Sequence, residues 1–158
     1  MGKFIATLAV IFLVYVAYVA LTDGDDVGDS GCETTLCCPG CEIISATRII
    51  DGDTFVSGGD RVRLFGMDTP EIGEPCYSEA TARLRELAKG AVRVESGPRA
   101  RDPFDRLLYY TYTDSGESID EMLVREGYAR AWTRDGQHRE TLMDLEREAR
   151  ENGVGCLW

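Results

Sequence analysis

Lysine and histidine are almost missing from this chain of 158 residues. Lys3 and Lys89 are its only lysines and His138 its only histidine, so the basic residues are nearly all arginine. A lone histidine leaves histidine-based hydrolysis and nucleophile–histidine triads without support, and the final helix offers His138 no partner in sequence. A solvated or partly buried role suits it better. Charge of one sign is also scarce: Asp and Glu number 28 against 17 Lys and Arg, a formal net charge of −11. An acidic surface with little lysine suits a protein that stays hydrated at high salt, as from a halophilic source. An ordinary acidic protein has the same composition. The length supplies one domain with a real core.

Long apolar runs are limited to one. Phe4 to Leu21 is interrupted only by Thr7, with Lys3 before it and Asp23, Asp25 and Asp26 after it. As a helix it would span about 27 Å, just enough to cross a bilayer. The cationic front places the N-terminus in the cytoplasm and the rest outside. A cleaved signal peptide would have a shorter apolar region and a small-x-small site. Tyr18 spoils such a site at Ala20, although Ala20-Leu21-Thr22 is tolerable. Residues 1–22 therefore read as a signal anchor, with a cleaved signal peptide as the alternative. The protein is expected on the extracellular face of the membrane or secreted. Residues 23–41 form an acidic linker and a segment holding Cys32, Cys37, Cys38 and Cys41. Export and an even total of six cysteines favour disulfides, and a zinc cluster is the competing reading.

The chemistry concentrates between Ile49 and Glu71. Ile49 and Ile50 lead into an acidic turn, Asp51-Gly52-Asp53-Thr54. Phe55 to Met67 reads as two strands joined at Ser57-Gly58-Gly59-Asp60. In the second, Arg63, Phe65 and Met67 share one parity, and the strand stops at Asp68-Thr69-Pro70. A hairpin brings its ends together, so Asp53 and Asp68 face one site. Two carboxylates with an oxygen from Thr54 or Thr69 suit a hard cation such as Ca2+ or Mg2+. Arg63 and Glu71 lie near the same edge. Cation, guanidinium and carboxylate together are what phosphodiester cleavage requires. By pattern alone, a plain turn and a strand stop are the favoured account of these residues.

The remaining elements alternate. Glu42 to Arg48 reads as a first strand. Ser78 is the expected N-cap of a helix running to Leu87 and Ala88, with Gly90 as its stop. Ala91 to Ser96 is a strand; Arg99, Arg101 and Arg106 flank a Pro-containing loop; Leu107 to Tyr112 is an aromatic strand. Ser118 and Glu121 have capping-box spacing for a helix ending at Gly127. Gln137 to Glu151 is amphipathic and stops at Asn152-Gly153. The fold class is α+β. Trp132, Tyr109, Tyr110, Tyr112 and Tyr128 are candidates for base stacking, although strand aromatics more often fill cores.

Asp-Gly-Asp-Thr, then Arg-Leu-x-Gly-x-Asp-Thr-Pro-Glu, resembles the signature of the staphylococcal nuclease (thermonuclease) family. Asp102-Pro103-Phe104-Asp105-Arg106-Leu107-Leu108-Tyr109-Tyr110 is similar to its Asp-x-Tyr-Gly-Arg-x-Leu-Ala-Tyr strand. Met122 to Ala129 resembles its next helix and turn, and Trp158 its closing tryptophan. The resemblance covers residues 42–158, and its fold would be a five-stranded OB-type barrel with three helices. It implies a Ca2+-dependent nuclease acting on DNA, with RNA left open, as a monomer. Asp53, Asp68 and the carbonyl of Thr69 would hold the metal. Arg63 and Arg106 would clamp the scissile phosphate, and Glu71 would serve as general base. The alternative is a noncatalytic OB-type module binding nucleic acid or protein. The resemblance also implies a bridge between Cys76 and Cys156, leaving the four N-terminal cysteines to pair among themselves. Asp51 is expected to form the turn rather than bind metal. Pro103 and Phe104 replace a Lys-Tyr pair that helps hold a terminal phosphate, and Thr133 and Asp135 stand where tyrosines line a base pocket. A polyanionic substrate is repelled by so acidic a chain at low ionic strength, and about 1 M salt shortens that repulsion to about 3 Å.

Overall fold

Gly58 and Gly59 both take positive φ, 58° and 97°, as the tightest right-twisted hairpins require of their two central residues. They join strand β3 (Thr54–Ser57) to β4 (Asp60–Leu64). The computed structural model describes residues 31–158; the membrane segment expected at Phe4 to Leu21 lies outside the described residues. Among the described residues no helix is long and apolar enough to cross a membrane.

Six strands form one curled sheet. The others are β1 (Glu42–Ser45), β2 (Arg48–Ile49), β6 (Ala91–Arg101) and β7 (Leu107–Tyr112). Their order is β1-β6-β7-β4-β3-β2, antiparallel except where β4 runs beside β7. The edge strands β1 and β2 are consecutive in the chain, separated by Ala46 and Thr47. At that break Ala46 N–H bonds to Gly90 while Thr47 N–H bonds to Val56 on the far side of the sheet. The single first strand expected over Glu42 to Arg48 is thus bent, one half serving each edge. Two short strands, β5 (Met67–Asp68) and β8 (Arg130–Ala131), pair separately. With three helices this is an α+β fold consistent with the OB type.

The second hairpin strand is shorter than expected. The chain leaves the sheet after Leu64, and the alternation of Arg63, Phe65 and Met67 fails: Arg63 faces outward, whereas Phe65 and Met67 are buried. Gly66 is the reason. Its N–H donates to Asp120 Oδ1 at 2.9 Å and its carbonyl accepts from Trp132. A Cβ there would sit 2.9 Å from both that oxygen and the Tyr110 ring, so only glycine lets the chain turn into β5.

Helix α1 (Tyr77–Ala88) buries Ala80, Leu84 and Leu87 as its periodicity predicts. Its N-cap is Cys76 rather than Ser78, with φ 74° and no side-chain cap. The tight turn from Glu71 through Glu74 into Tyr77 starts the helix early and leaves Ser78 exposed on it. Cys76 is bridged to Cys156 across a sequence separation of 80, as expected. Arg99 and Arg101 lie on β6 rather than in a loop; a register shift after Ser96 carries the strand on to Arg101. Only Asp102 to Arg106 is loop.

Helix α2 (Ile119–Arg125) makes half of its capping box. Ser118 Oγ accepts from Glu121 N–H at 3.1 Å, but the Glu121 carboxylate turns away to accept from Thr35 and Leu36 N–H at 2.9 and 2.7 Å. The Cys-rich segment takes the missing place: Ser118 N–H bonds to the Thr34 hydroxyl and the Leu36 carbonyl. Its cysteines pair as Cys32–Cys37 and Cys38–Cys41, which leaves no thiolates for zinc. Leu36, Cys38 and Cys41 pack on the core. Helix α3 (Arg139–Glu151) closes the core with Leu142 and Ala149, beginning two residues later than its amphipathic pattern.

Candidate active site

The acidic turn between β2 and β3 is built by short-range bonds. Asp51 Oδ1 accepts from Asp53 N–H at 3.1 Å, the turn-forming role expected of it. Burial, followed by the neighbouring charge of Asp53, pushes the Asp51 carboxyl up from its ordinary value. Gly52 is obligatory at this turn: a Cβ would come within 2.9 Å of Thr69 and Ala80. The Asp53 carboxylate is buried, bonded through Oδ1 to the Thr54 hydroxyl at 2.8 Å and through Oδ2 to the Thr69 N–H at 3.4 Å.

Arg63, opposite Thr54 in the hairpin register, is the centre of the group. Its Nη1 pairs with Asp53 Oδ2, and its Nη2 with Asp68 Oδ1 at 2.5 Å. Burial lowers the guanidinium's proton affinity, but the charges and hydrogen bonds of Asp53 and Asp68 outweigh it and hold the pKa above its ordinary value. Arg106 stands beside this group, its Nη1 3.5 Å from the Thr54 hydroxyl. It is aimed by Asp102, whose Oδ2 accepts from Arg106 Nε at 2.7 Å while Oδ1 accepts from the Phe104 and Arg106 amides. Burial raises the Asp102 carboxyl, yet those donors hold it below the usual carboxylate range.

The fold therefore brings together Asp53, Arg63, Asp68, Thr69 and Arg106. Glu71 is not part of the group. It is exposed on the turn after β5, its N–H bonded to Glu74 Oε2 at 2.8 Å, and among the described residues its carboxylate makes no hydrogen bond or ion pair. No group of three or more His, Cys, Asp or Glu converges among the described residues.

Next to this group lies a cleft of about 600 Å³ lined by Arg63, Arg106, Arg99, Arg134, Phe104 and Trp132, among others. Its walls combine guanidiniums with rings: Arg99 lies 5.2 Å from the Phe65 ring centre, Arg106 5.6 Å from Phe104 and Arg134 5.2 Å from Trp132. Asp135 organises one wall, taking two bonds from Arg99 at 2.7 and 3.1 Å and one from the Trp132 indole at 2.8 Å. Such a surface can hold a phosphate and a planar ring side by side. Asp135 stands at the base-pocket position that the resemblance implies, but Arg99 and Arg134 escape a sequence reading as its partners because the cleft joins β6 to the segment after β8; a bulge in β6 signalled by Gly97-Pro98 is the one local hint. Tyr110 and Tyr112 are core residues, so of the candidate stacking aromatics Trp132 is the one that lines the cleft.

The profile of the family described as "Staphylococcal nuclease homologue" matches residues 61–158. The chain belongs to this family. It is 32% identical over 124 residues to "Thermonuclease" of Staphylococcus intermedius, covering 70% of this chain and 73% of that protein. It is 32% identical over 124 residues to "Micrococcal nuclease" of Shigella flexneri, covering 70% of each. It is 29% identical over 126 residues to "Succinoglycan biosynthesis protein ExoI" of Rhizobium meliloti, covering 73% of this chain and 64% of the other. The nuclease-family profile thus takes in Arg63, Asp68, Thr69, Glu71 and Arg106, while Asp53 lies just ahead of it.

His138 acquires a partner that the sequence does not reveal. Its Nε2 lies 2.9 Å from Glu95 Oε2 on β6, and the same oxygen accepts from the Tyr112 hydroxyl. Burial raises the Glu95 carboxyl, but the donors Tyr112, His138 and Gln137 hold it below its ordinary value. This half-buried group ties β6 and β7 to the start of α3, away from the arginine–carboxylate site.

Proposed function

We propose that this protein is a metal-dependent nuclease hydrolysing phosphodiester bonds of DNA, with RNA as a second substrate to be tested. The observation carrying this reading is the Arg63 guanidinium set between Asp53 and Asp68 with Arg106 alongside. A donor set of two carboxylates and the Thr69 carbonyl, all oxygen, fits Ca2+, which takes six to eight hard ligands and completes its shell with water. When bound, the ion supplies charge neutralisation at phosphorus.

The chain's own residues do the remainder. Arg63 and Arg106 present planar, permanently charged forks to the phosphate's equatorial oxygens, where charge grows as the transition state forms. Asp102 fixes the orientation of Arg106, so little freedom is lost on engagement. Glu71 is the general base: an exposed carboxylate on a short turn, with no hydrogen bond or ion pair among the described residues, can reach a water. The cleft of Phe104, Trp132, Arg99 and Arg134 holds the neighbouring nucleotide. We also propose that β1 and β2 act as one stave of a five-stranded barrel, and that residues 1–22 place the nuclease domain outside the cell. Its acidic surface then works in salt, where repulsion of a polyanion is screened.

Incubation of the full chain with single-stranded DNA, duplex DNA and RNA, with Ca2+ or with excess chelator, tests this. Cleavage with Ca2+ and its loss with chelator are expected. Undiminished cleavage in chelator, or no cleavage of any substrate, overturns the proposal.

A further inference from the structure

Arg48 of β2 and Arg61 of β4 both lie directly opposite Val56 of β3. Residues paired this way project to one side of the sheet, so the two arginines flank Val56 on a common face. Phe55 and Val62, in the adjacent register, are fully buried and mark the other face as core. Two residues further along β4, on the same face, is Arg63. Strand spacing puts the Cα atoms of Arg48 and Arg61 about 10 Å apart, and those of Arg61 and Arg63 about 7 Å apart. Three arginines thus continue outward from the site across the sheet.

The outer two differ from most other arginines of the molecule. Arg83, Arg99, Arg101, Arg106 and Arg125 each engage a carboxylate. Arg48 and Arg61 are exposed and, among the described residues, enter no ion pair and donate no side-chain hydrogen bond. In a chain of net charge −11, two uncompensated guanidiniums beside the site form a local positive surface on an otherwise repulsive protein. Such a surface pays back the repulsion only if phosphates reach it.

We propose that Arg48 and Arg61 form an exosite for the phosphate backbone of the substrate strand, outside the cleft and continuous with Arg63. It gives the enzyme a preference for polynucleotides over short oligonucleotides. The inference rests on the nuclease reading and adds substrate length to it. Contacts to phosphate are independent of base identity, so the exosite gives affinity and register rather than sequence preference.

The test compares the full chain with its Arg48→Ala/Arg61→Ala and Arg48→Lys/Arg61→Lys double variants. Substrates are oligothymidylates of about 4 and about 16 nucleotides, spanning the usual range of sites on one OB fold. KM is measured by cleavage with Ca2+, and binding by anisotropy in chelator across a salt series. The alanine pair should raise KM roughly tenfold for the long strand and leave it unchanged for the short one. Its salt dependence of binding should become shallower by about 1.4 in log–log slope, the share of two single-strand phosphates. The lysine pair should retain most of both, because a point charge suffices for backbone contact. An unchanged long-to-short ratio with an unchanged slope overturns the exosite while leaving nuclease activity standing. So does loss of binding to vesicles of anionic phospholipid in the alanine pair without change in either nucleic-acid readout. A wild-type chain that cleaves neither strand refutes the nuclease reading itself.

Discussion

Asp53 and Asp68 at the edge of the sheet, and Asp120 and Glu121 in the first turn of α2, are two pairs of carboxylates that the fold satisfies in different ways. Asp120 is fully buried and accepts from the amides of Gly66 and Thr111 and from the Thr111 hydroxyl at 2.9 to 3.0 Å. Glu121 is also fully buried and accepts from two further amides and from Arg125. At the candidate site one guanidinium serves both carboxylates. Backbone donors cannot withdraw without unfolding the segment that carries them, whereas a side-chain cation can swing aside. Acids held by amides therefore lock β7, α2 and the Cys-rich segment together. On the proposed mechanism Asp53 and Asp68, which share Arg63, would be the residues to hold a metal ion, and the guanidinium would turn to phosphate.

Glu71 sharpens the contrast because, among the described residues, nothing donates to its carboxylate. Glu71→Gln should lower turnover about 10²–10⁴-fold, as loss of a general base does. Thermal stability should not move, since among the described residues the carboxylate makes no hydrogen bond or ion pair. Steady-state cleavage kinetics beside a calorimetric scan read both. Near-wild-type turnover in a folded variant would remove Glu71 from the mechanism, and the binding-module reading would gain.

Local patterns carried most of the fold into the sequence. The Gly58-Gly59 turn, β7, the buried face of α1 and the Cys76–Cys156 bridge follow from residue type, period or family resemblance. What escaped is non-local. Ser78 has the chemistry of an N-cap, but the turn from Glu71 commits the chain two residues earlier, at Cys76. Ser118 and Glu121 have capping-box spacing, yet the box opens because a segment more than 80 residues upstream offers Glu121 two amides and gives Ser118 an acceptor. The arginine–carboxylate group was legible as a motif. Its cleft was legible only in part: the sequence marks Trp132 and Asp135 for a base pocket, but Arg99 and Arg134 join them only through the pairing of β6 with β7 and the return of the chain after β8. Asp120 and Asp53 look alike in sequence; only the fold shows that Asp120 is held by the Gly66 and Thr111 amides while Asp53 is paired with Arg63.

Asp120→Ala would leave two buried amides without an acceptor, at about 1–3 kcal/mol each, so a loss of about 2–5 kcal/mol is expected in urea unfolding. The loss should depend on pH. Burial pushes the Asp120 carboxyl up from 3.8 to about 6. The native state then holds this proton more tightly than the unfolded chain. Its contribution is greatest below the unfolded value and falls as pH rises through the folded one, by about 3 kcal/mol in all. The gap between wild type and Asp120→Ala should therefore be wider at low pH than at neutral pH. A gap that is constant or grows with pH would show that Asp120 is not the strained acid its burial implies. Turnover per folded molecule should stay near wild type, because Asp120 touches no group of the candidate site.

Calcium separates the two pairs of acids most directly. An ion that binds only the native state stabilises it by RT ln(1 + [L]/Kd), about 2.7 kcal/mol at a hundredfold excess over Kd. For a domain of this size that raises the melting temperature by about 5–10 °C. Asp53→Asn and Asp68→Asn should each abolish the rise, since each removes half of the carboxylate charge available to the ion. Glu121→Gln should melt lower than wild type without calcium, because an amide cannot accept from all of the donors that Glu121 serves. It should nevertheless keep the full calcium-dependent rise, because its loss lies in the lock and not at the exchangeable pair. Arg63→Ala should bind calcium more tightly than wild type, since the ion no longer competes with a guanidinium for the same oxygens. Its rise would then begin at lower calcium concentration even as turnover falls. A rise that survives both aspartate substitutions would place the ion elsewhere. An Arg63→Ala variant needing more calcium than wild type would show that the guanidinium assists the ion rather than competing with it, and the idea of exchange between them would fall.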